Sequence, residues 1–468
     1  MRLAPPSPRR FEWGLAIAFL LLSSGAAEVE ASDPVRIDRE VQLLVDSHWV
    51  DQSHNVTRRL GSVTKVNGGG PIFTDGWFYG TVLHDAGRFK LWFRKPGTQG
   101  FGYAESLDGL SFEKVADVTG IPFAGDYTLA VEIDSSATEP ARRYLGGFDA
   151  QGMAAGLAFS EDGIHWRAAN EGRPVTGRAA DSYNQFLWDP NARAHRLFTR
   201  TDFGTAGGAG EIRGTRSMAN SRLNESVTDW HVVSEWKFDR EGNREAGRRQ
   251  VYAVTGWIWR GIYFALLSVY EYPGDLSEGK ETDLVRRHER DVMNFYIATS
   301  RDAEHWDFHW VYASQPIIPR GQDGTFDKDL LSRGDEHWLY YAGANERHGT
   351  PETSFQRTSA IGLAKIRRDR LAGWGANETP GEIVTRPFQW PVGNLRLNVE
   401  APNGSFDVSV LNEAGEAIPG LAARGKTLDR LECVPDWDDP GQLATITGQT
   451  VRLKITLQNA VWYAFEVR

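Results

Sequence analysis

Apolar positions along this chain come in short runs of aromatic and branched residues, broken by Gly, Asp, Asn and Ser. No segment holds a helical period beyond two or three turns. One unit returns five times. A strand of large apolar residues, seen in Phe89-Lys-Leu-Trp-Phe93, Arg143-Tyr-Leu-Gly-Gly147, His195-Arg-Leu-Phe-Thr199, Ile262-Tyr-Phe-Ala-Leu266 and His337-Trp-Leu-Tyr-Tyr341, precedes a second strand each time. That second strand runs into a turn, most clearly in Tyr103-Ala-Glu-Ser-Leu-Asp-Gly-Leu-Ser-Phe112, Leu157-Ala-Phe-Ser-Glu-Asp-Gly-Ile-His-Trp166 and Ile297-Ala-Thr-Ser-Arg-Asp-Ala-Glu-His-Trp306. Weaker copies are Gly214-Thr-Arg-Ser217, running on to Trp230, and Gly362-Leu-Ala-Lys-Ile-Arg-Arg-Asp369 before Trp374. Five copies with a blade-like period, and room for an insertion around 271–292, predict an all-β chain with a five-bladed β-propeller over 32–380.

From Gly381 the rhythm changes to strict alternation. Leu395-Arg-Leu-Asn-Val-Glu400, Phe406-Asp-Val-Ser-Val-Leu411, Val451-Arg-Leu-Lys-Ile-Thr-Leu457 and Val461-Trp-Tyr-Ala-Phe-Glu-Val467 each place apolar residues on one face. The expectation is a small C-terminal β-sandwich over 381–468. Before the propeller, residues 1–31 read as a signal peptide: Arg2, Arg9 and Arg10, then an apolar run through Leu22, then small residues. That run is shorter than the roughly 20 residues needed to span a bilayer. The expected location is therefore secreted or periplasmic, without stable membrane insertion once the leader is cleaved.

Within the repeat, Ser and Asp can each accept a bond from a nearby backbone amide, and Gly tolerates positive φ. These residues are read as structural, because a catalytic group is needed once and they recur. Composition narrows the partners. The net charge of −10 at pH 7 argues against a nucleic-acid backbone, and the single cysteine, Cys433, excludes an intrachain disulfide or a Cys-based zinc site. The 17 Trp exceed what core filling asks for and fit either blade wedges or platforms for the C–H face of a sugar.

The first-blade approach Leu43-Leu-Val-Asp-Ser-His-Trp-Val50, the Ser-Leu-Asp-Gly turn, Ile318-Pro-Arg-Gly321 with Gly324-Thr-Phe-Asp327, Leu339-Tyr-Tyr-Ala-Gly343 and the sandwich strands together resemble one group of proteins. It is the five-bladed propeller glycosidases of the invertase-like and arabinanase-like kind, glycoside hydrolase families 32 and 43, with an appended sandwich. The resemblance implies an oligo- or polysaccharide substrate, no required cofactor, and carboxylates gathered in an axial funnel from the innermost strands of several blades. Hydrolysis of a glycosidic bond needs one carboxyl group to protonate the leaving oxygen and another to attack or to activate water.

Acids at the expected starts of innermost strands are Asp75, Asp126, Asp181 and Asp327. Blade four, beginning Arg249-Gln-Val-Tyr-Ala-Val-Thr255, has none, and Glu271 is the nearest substitute. Asp181 and Asp75 are expected as base or nucleophile, Asp126 as orienting group, and Glu271 or Asp327 as proton donor. The alternative for each Asp is a cap on a loop amide. Trp77, Tyr79, Tyr183, Asn184, Trp188 and Trp257 are the expected sugar contacts, and each aromatic fits a core position equally well. A structural calcium at Asp327-x-Asp329 and a non-catalytic propeller that binds carbohydrate or a partner are the alternative expectations.

Overall fold

The computed structural model describes residues 34–37, 40–97, 100–123, 128–177, 183–203, 212–239, 249–271, 292–319, 326–344 and 359–468. The expected leader, Asp126 and Asp181 lie outside these residues. Five four-stranded antiparallel sheets form the blades of a propeller. Blade one is Val82–Asp85, Arg88–Arg94, Phe101–Ser106 and Glu113–Asp117. Blade two is Leu129–Ile133, Tyr144–Ala150, Ala154–Ser160 and Trp166–Ala168. Blade three is Gln185–Asp189, Ala194–Asp202, Arg213–Asn220 and His231–Trp236. Blade four is Arg249–Trp259, Ile262–Glu271, Val292–Ser300 and Trp306–Asp307.

Blade five takes Phe326–Arg333, Glu336–Ala344 and Ser359–Arg367 from the end of the propeller and its outermost strand, Val63–Lys65, from before blade one. This exchange closes the ring without a covalent link and removes one sheet edge. Every second and third strand expected from the repeat occupies its place in a blade. In blade two both middle strands are buried at all seven positions. A strand flanked by sheets on both faces has no solvent side, so these runs read as continuously apolar and do not alternate.

The repeated turns have one geometry. Ser106 Oγ accepts from Gly109 N at 2.9 Å and Asp108 Oδ1 from Leu110 N and Ser111 N at 2.8 and 2.9 Å. Ser160 with Asp162 and Ser300 with Asp302 repeat these bonds at the same offsets. Each turn also faces a neighbouring blade. Tyr340 OH of blade five donates to Gly109 O at 2.8 Å, and Trp92 Nε1 of blade one donates to Gly163 O at 2.6 Å. A Cβ on Gly109, whose φ is +72°, would lie 2.5 Å from the Tyr340 hydroxyl.

The boundary expected near residue 381 moves in both directions. The strands Val35–Arg36, Gln42–Leu43, Val50–His54 and Thr57–Leu60, together with Ala372–Ala376, pair inside the C-terminal sheet and not in a blade. Strand alternation is the same whichever sheet a segment joins, so pairing partners were invisible to the pattern. The long strand Leu395–Asn412 pairs with Ala460–Val467 through its first half and with Thr450–Gln458 through its second, with Ala417–Cys433 along its other edge. This folded sheet closes on a core that includes Trp49, Trp390, Trp462 and Phe465. Arg58 to Asp307 and Arg301 to Asp46, at 2.6 and 2.9 Å, tie the N-terminal strands to blade four. Among the described residues no helix is long and apolar enough to cross a membrane.

Candidate functional site

The innermost strands of blades two to four, and the segment leading into that of blade one, are joined to one another by direct bonds around the axis. Leu129 N donates to Tyr79 O at 3.0 Å, and Val131 N to Thr81 Oγ1 at 2.9 Å. Thr81 Oγ1 in turn meets Tyr183 OH at 2.8 Å. Gln185 carries the chain onward. Its Oε1 accepts from Gly256 N at 2.6 Å, and its Nε2 donates to Gly256 O at 3.0 Å and to Glu132 Oε1 at 2.5 Å. Glu132, Gln185 and Gly256 belong to the innermost strands of blades two, three and four, so the Glu132 carboxyl lies where those strands converge.

Glu132 sits in Leu129-Ala-Val-Glu-Ile133, a strand otherwise apolar, and keeps a partly accessible surface although protein surrounds it. Burial pushes its carboxyl up to about 7, against a downward pull from the Gln185 bond. A carboxylic acid that is half protonated near neutral pH can both give and take a proton. Sequence reasoning passed over Glu132 because it looked for acids only at strand starts. The available signal was a lone carboxylate inside an apolar strand, where it is costly unless it has a partner or a task.

The expected site residues fall into three groups. Asp75 is exposed and lies before the first strand of blade one, which begins at Val82; the segment 74–79 contributes one isolated bridge, Trp77 to Arg94. Trp77 and Tyr79 are partly exposed beside it. The Arg94 guanidinium stands 4.9 Å from the Trp77 ring centre and 5.7 Å from that of Tyr79, so an arginine already occupies one aromatic face. Asp327 lies in the innermost strand of blade five, at the irregular register between Phe326 and Lys328.

The second group is buried and bonded to neighbouring strands. Tyr183 is buried with its hydroxyl on Thr81, and buried Asn184 donates to Asp149 Oδ1 at 2.9 Å and accepts from Thr199 Oγ1 at 2.6 Å. Glu271 ends the second strand of blade four, and its oxygens accept from Arg249 Nε and Tyr296 OH, both at 2.8 Å, and from Asn294. The Glu271 carboxyl, expected as a proton donor, is thus placed against the buried Arg249 guanidinium. The third group lies at the opposite end of the blades. Trp188 packs edge-on against His195 next to the Asp189 turn, and Trp257, partly buried against the main core, stacks on Phe264 with ring centres 5.2 Å apart.

Around Tyr252 of blade four the blade-three guanidiniums of Arg200 and Arg213 stand 6.0 and 5.9 Å from the ring centre. Tyr183, Tyr252, Tyr270, Met293, Ala130 and Ala253 form one buried cluster at this level. Among the described residues no group of three or more His, Cys, Asp or Glu side chains is arranged to hold a metal ion.

No family model and no curated protein sequence matches this chain. Solved structures with a similar fold include a thermostable family-43 glycoside hydrolase, 15% identical, covering 64% of this chain and 92% of that one at a TM-score of 0.45. The catalytic domain of the Coprinopsis cinerea GH62 alpha-L-arabinofuranosidase is 13% identical, covering 66% and 98% at 0.43. The exo-beta-1,3-galactanase from Phanerochaete chrysosporium is 11% identical, covering 86% and 99% at 0.42. At these values the likeness assigns this chain neither an activity nor a substrate.

Proposed function

We propose that this chain is an exported glycoside hydrolase that cleaves an oligo- or polysaccharide in the axial channel, with Glu132 as the proton donor. The observation that supports it is a carboxyl group where three innermost strands converge, pushed up to about 7 by burial. Protonating the leaving glycosidic oxygen requires a carboxyl that keeps its proton near neutral pH. The partner carboxylate, which activates water or attacks the anomeric carbon, is one of the aspartates expected from the sequence, Asp75, Asp126, Asp181 or Asp327. The sugar classes handled by the similar structures, arabinofuranosides and β-1,3-galactan among them, are the first substrates to try.

The purified protein is assayed on plant and algal glycans and on the matching 4-nitrophenyl glycosides. Glu132→Gln is expected to lower glycan hydrolysis roughly 100- to 10,000-fold, the usual contribution of a positioned acid. Hydrolysis of the nitrophenyl substrate, whose leaving group needs little protonation, falls far less. Equal loss on both substrates, or none on either, removes Glu132 from the role. One observation favours a second reading, a propeller that binds carbohydrate without cleaving it: the only described acid at the entry end of blade four, Glu271, is committed to Arg249. Glycan affinity without turnover, unchanged in Glu132→Gln, decides for that reading.

A further inference from the structure

We infer that Gln185 is the positioning residue of this site, fixing which oxygen of Glu132 carries the proton. The inference rests on the reading of Glu132 as the proton donor, and it comes from the way the Gln185 amide is itself held. The inner edge of blade four presents both backbone groups of Gly256 to the axis, and the Gln185 side chain caps the pair, Oε1 on the N–H at 2.6 Å and Nε2 on the carbonyl at 3.0 Å. An amide clamped in this way cannot turn over. Reversal would set its NH₂ against the Gly256 N–H and its oxygen against the Gly256 carbonyl, losing both bonds.

The approach is close for a reason legible in the packing. Gly256 has no side chain, and a Cβ there would come within 2.3 Å of the Phe198 ring of blade three. The two innermost strands can therefore come near enough for one glutamine to bridge them and still reach blade two.

Because the amide orientation is set by backbone, Gln185 always offers a donor to Glu132 Oε1. Oε1 must then accept, and the transferable proton resides on Oε2, the oxygen not engaged by Gln185. The same bond favours the carboxylate and opposes burial. Among the described residues no charged side chain contributes to the shift of Glu132, so Gln185 is the single described polar neighbour that sets it. During protonation of a leaving oxygen, Glu132 loses the Oε2 proton and becomes a carboxylate. The Gln185 N–H, already in place on Oε1, stabilises the charge as it forms.

Gln185→Met keeps the length of the side chain and removes the amide. Losing a hydrogen bond to the charged form is expected to raise the Glu132 titration by about one unit, and to move the alkaline limb of kcat/KM upward by the same amount. The titration is read directly from the carboxyl band in the infrared difference between each protein and its Glu132→Gln counterpart, with no substrate present. A lower kcat with neither the limb nor the band displaced means that Gln185 only pins blades three and four together, and overturns the inference. If Gln185→Met does not fold, the unaltered protein still decides. Protonated Glu132 must show the lowered C=O stretch of a carbonyl that accepts a hydrogen bond, and an unbonded stretch refutes the assignment. A displaced band in a protein that hydrolyses no glycan retains the Gln185 role and discards the hydrolase reading, so the two fail separately.

Discussion

The two ends of the propeller are built differently. At the end where innermost strands finish, one device recurs from blade to blade. Asp85 of blade one accepts from Lys90 and from Tyr144 and Arg143 of blade two. Asp134 of blade two faces His195 Nε2 of blade three at 3.0 Å, and Asp189 of blade three accepts from Arg196 Nε at 2.8 Å and from Tyr263 OH of blade four at 2.9 Å. Blade four breaks the series. It ends in Trp259 and Arg260, which reach Asp369 on the last turn of blade five. At the end where innermost strands begin, the described contacts differ from blade to blade: Thr81 meets Tyr183, Asn184 donates to Asp149, and Glu271 accepts from Arg249. The repeated carboxylates secure neighbouring sheets, whereas Glu132, the group on which the proposed chemistry rests, has no counterpart in that series.

Four measurements test that division, beginning with the largest effect. Glu132→Gln should remove most hydrolysis and yet leave the protein folded. It should also raise stability at alkaline pH. In the native protein Glu132 titrates near 7 against an ordinary 4.5, so the folded state holds a proton that the unfolded chain has lost, and native stability declines as pH rises from about 4.5 to 7. The glutamine variant lacks this decline and should exceed the parent at pH 8 by up to about 3 kcal/mol in denaturant unfolding. A variant that is less stable at pH 8 contradicts the burial of an unpaired Glu132 carboxyl.

At the other end the effects should be on stability alone. Asp189→Ala strips a fully buried carboxylate from Arg196 and Tyr263, and leaving a buried guanidinium without its counter-ion costs about 3–5 kcal/mol. Activity per folded molecule should be unchanged, which an active-site titration against the folded fraction would check. Gly109→Ala meets both a positive φ and the Tyr340 hydroxyl, so a loss of about 1–3 kcal/mol is expected, with a lower Tm in calorimetry.

The smallest effect is a matter of pH. Burial pushes the Asp85 carboxyl up, but bonds from Tyr144, Lys90 and Arg143 outweigh it and hold the group at about 2. Its contribution is therefore present above an ordinary carboxyl value near 4 and lost as pH falls through about 2. Asp85→Asn should flatten that part of the acid unfolding curve, by about 2 kcal/mol at most. An unaltered curve would show that this clasp adds nothing to cohesion between blades one and two.

How much could be read beforehand followed the same division. The second and third strands of all five blades and the Ser-x-Asp turn were legible because local chemistry repeats there: a backbone amide donates to whatever carboxylate stands two or three residues before it. The sugar contacts were less so. Trp188 and Trp257 look like Trp77 in a sequence, and whether an indole faces a channel or a neighbouring sheet depends on which strand end it occupies. Glu271 was singled out for its position after a strand, but its partners Arg249, Asn294 and Tyr296 come from the two strands that flank its own, far from it along the chain.

By itself the sequence determined that the chain is all-β, that its sheets come in five similar units, and that an alternating segment follows them. Those properties depend on side chains within a few residues of one another, which hydrophobic spacing and turn chemistry record. Only the tertiary structure decided that Val63–Lys65 closes blade five, that residues 35–60 belong with the C-terminal sheet, and that Glu132, Gln185 and Gly256 meet at the axis. Each of these joins segments far apart along the chain. A strand edge accepts any partner whose backbone groups are in register, so that choice is made by the packing of the whole ring.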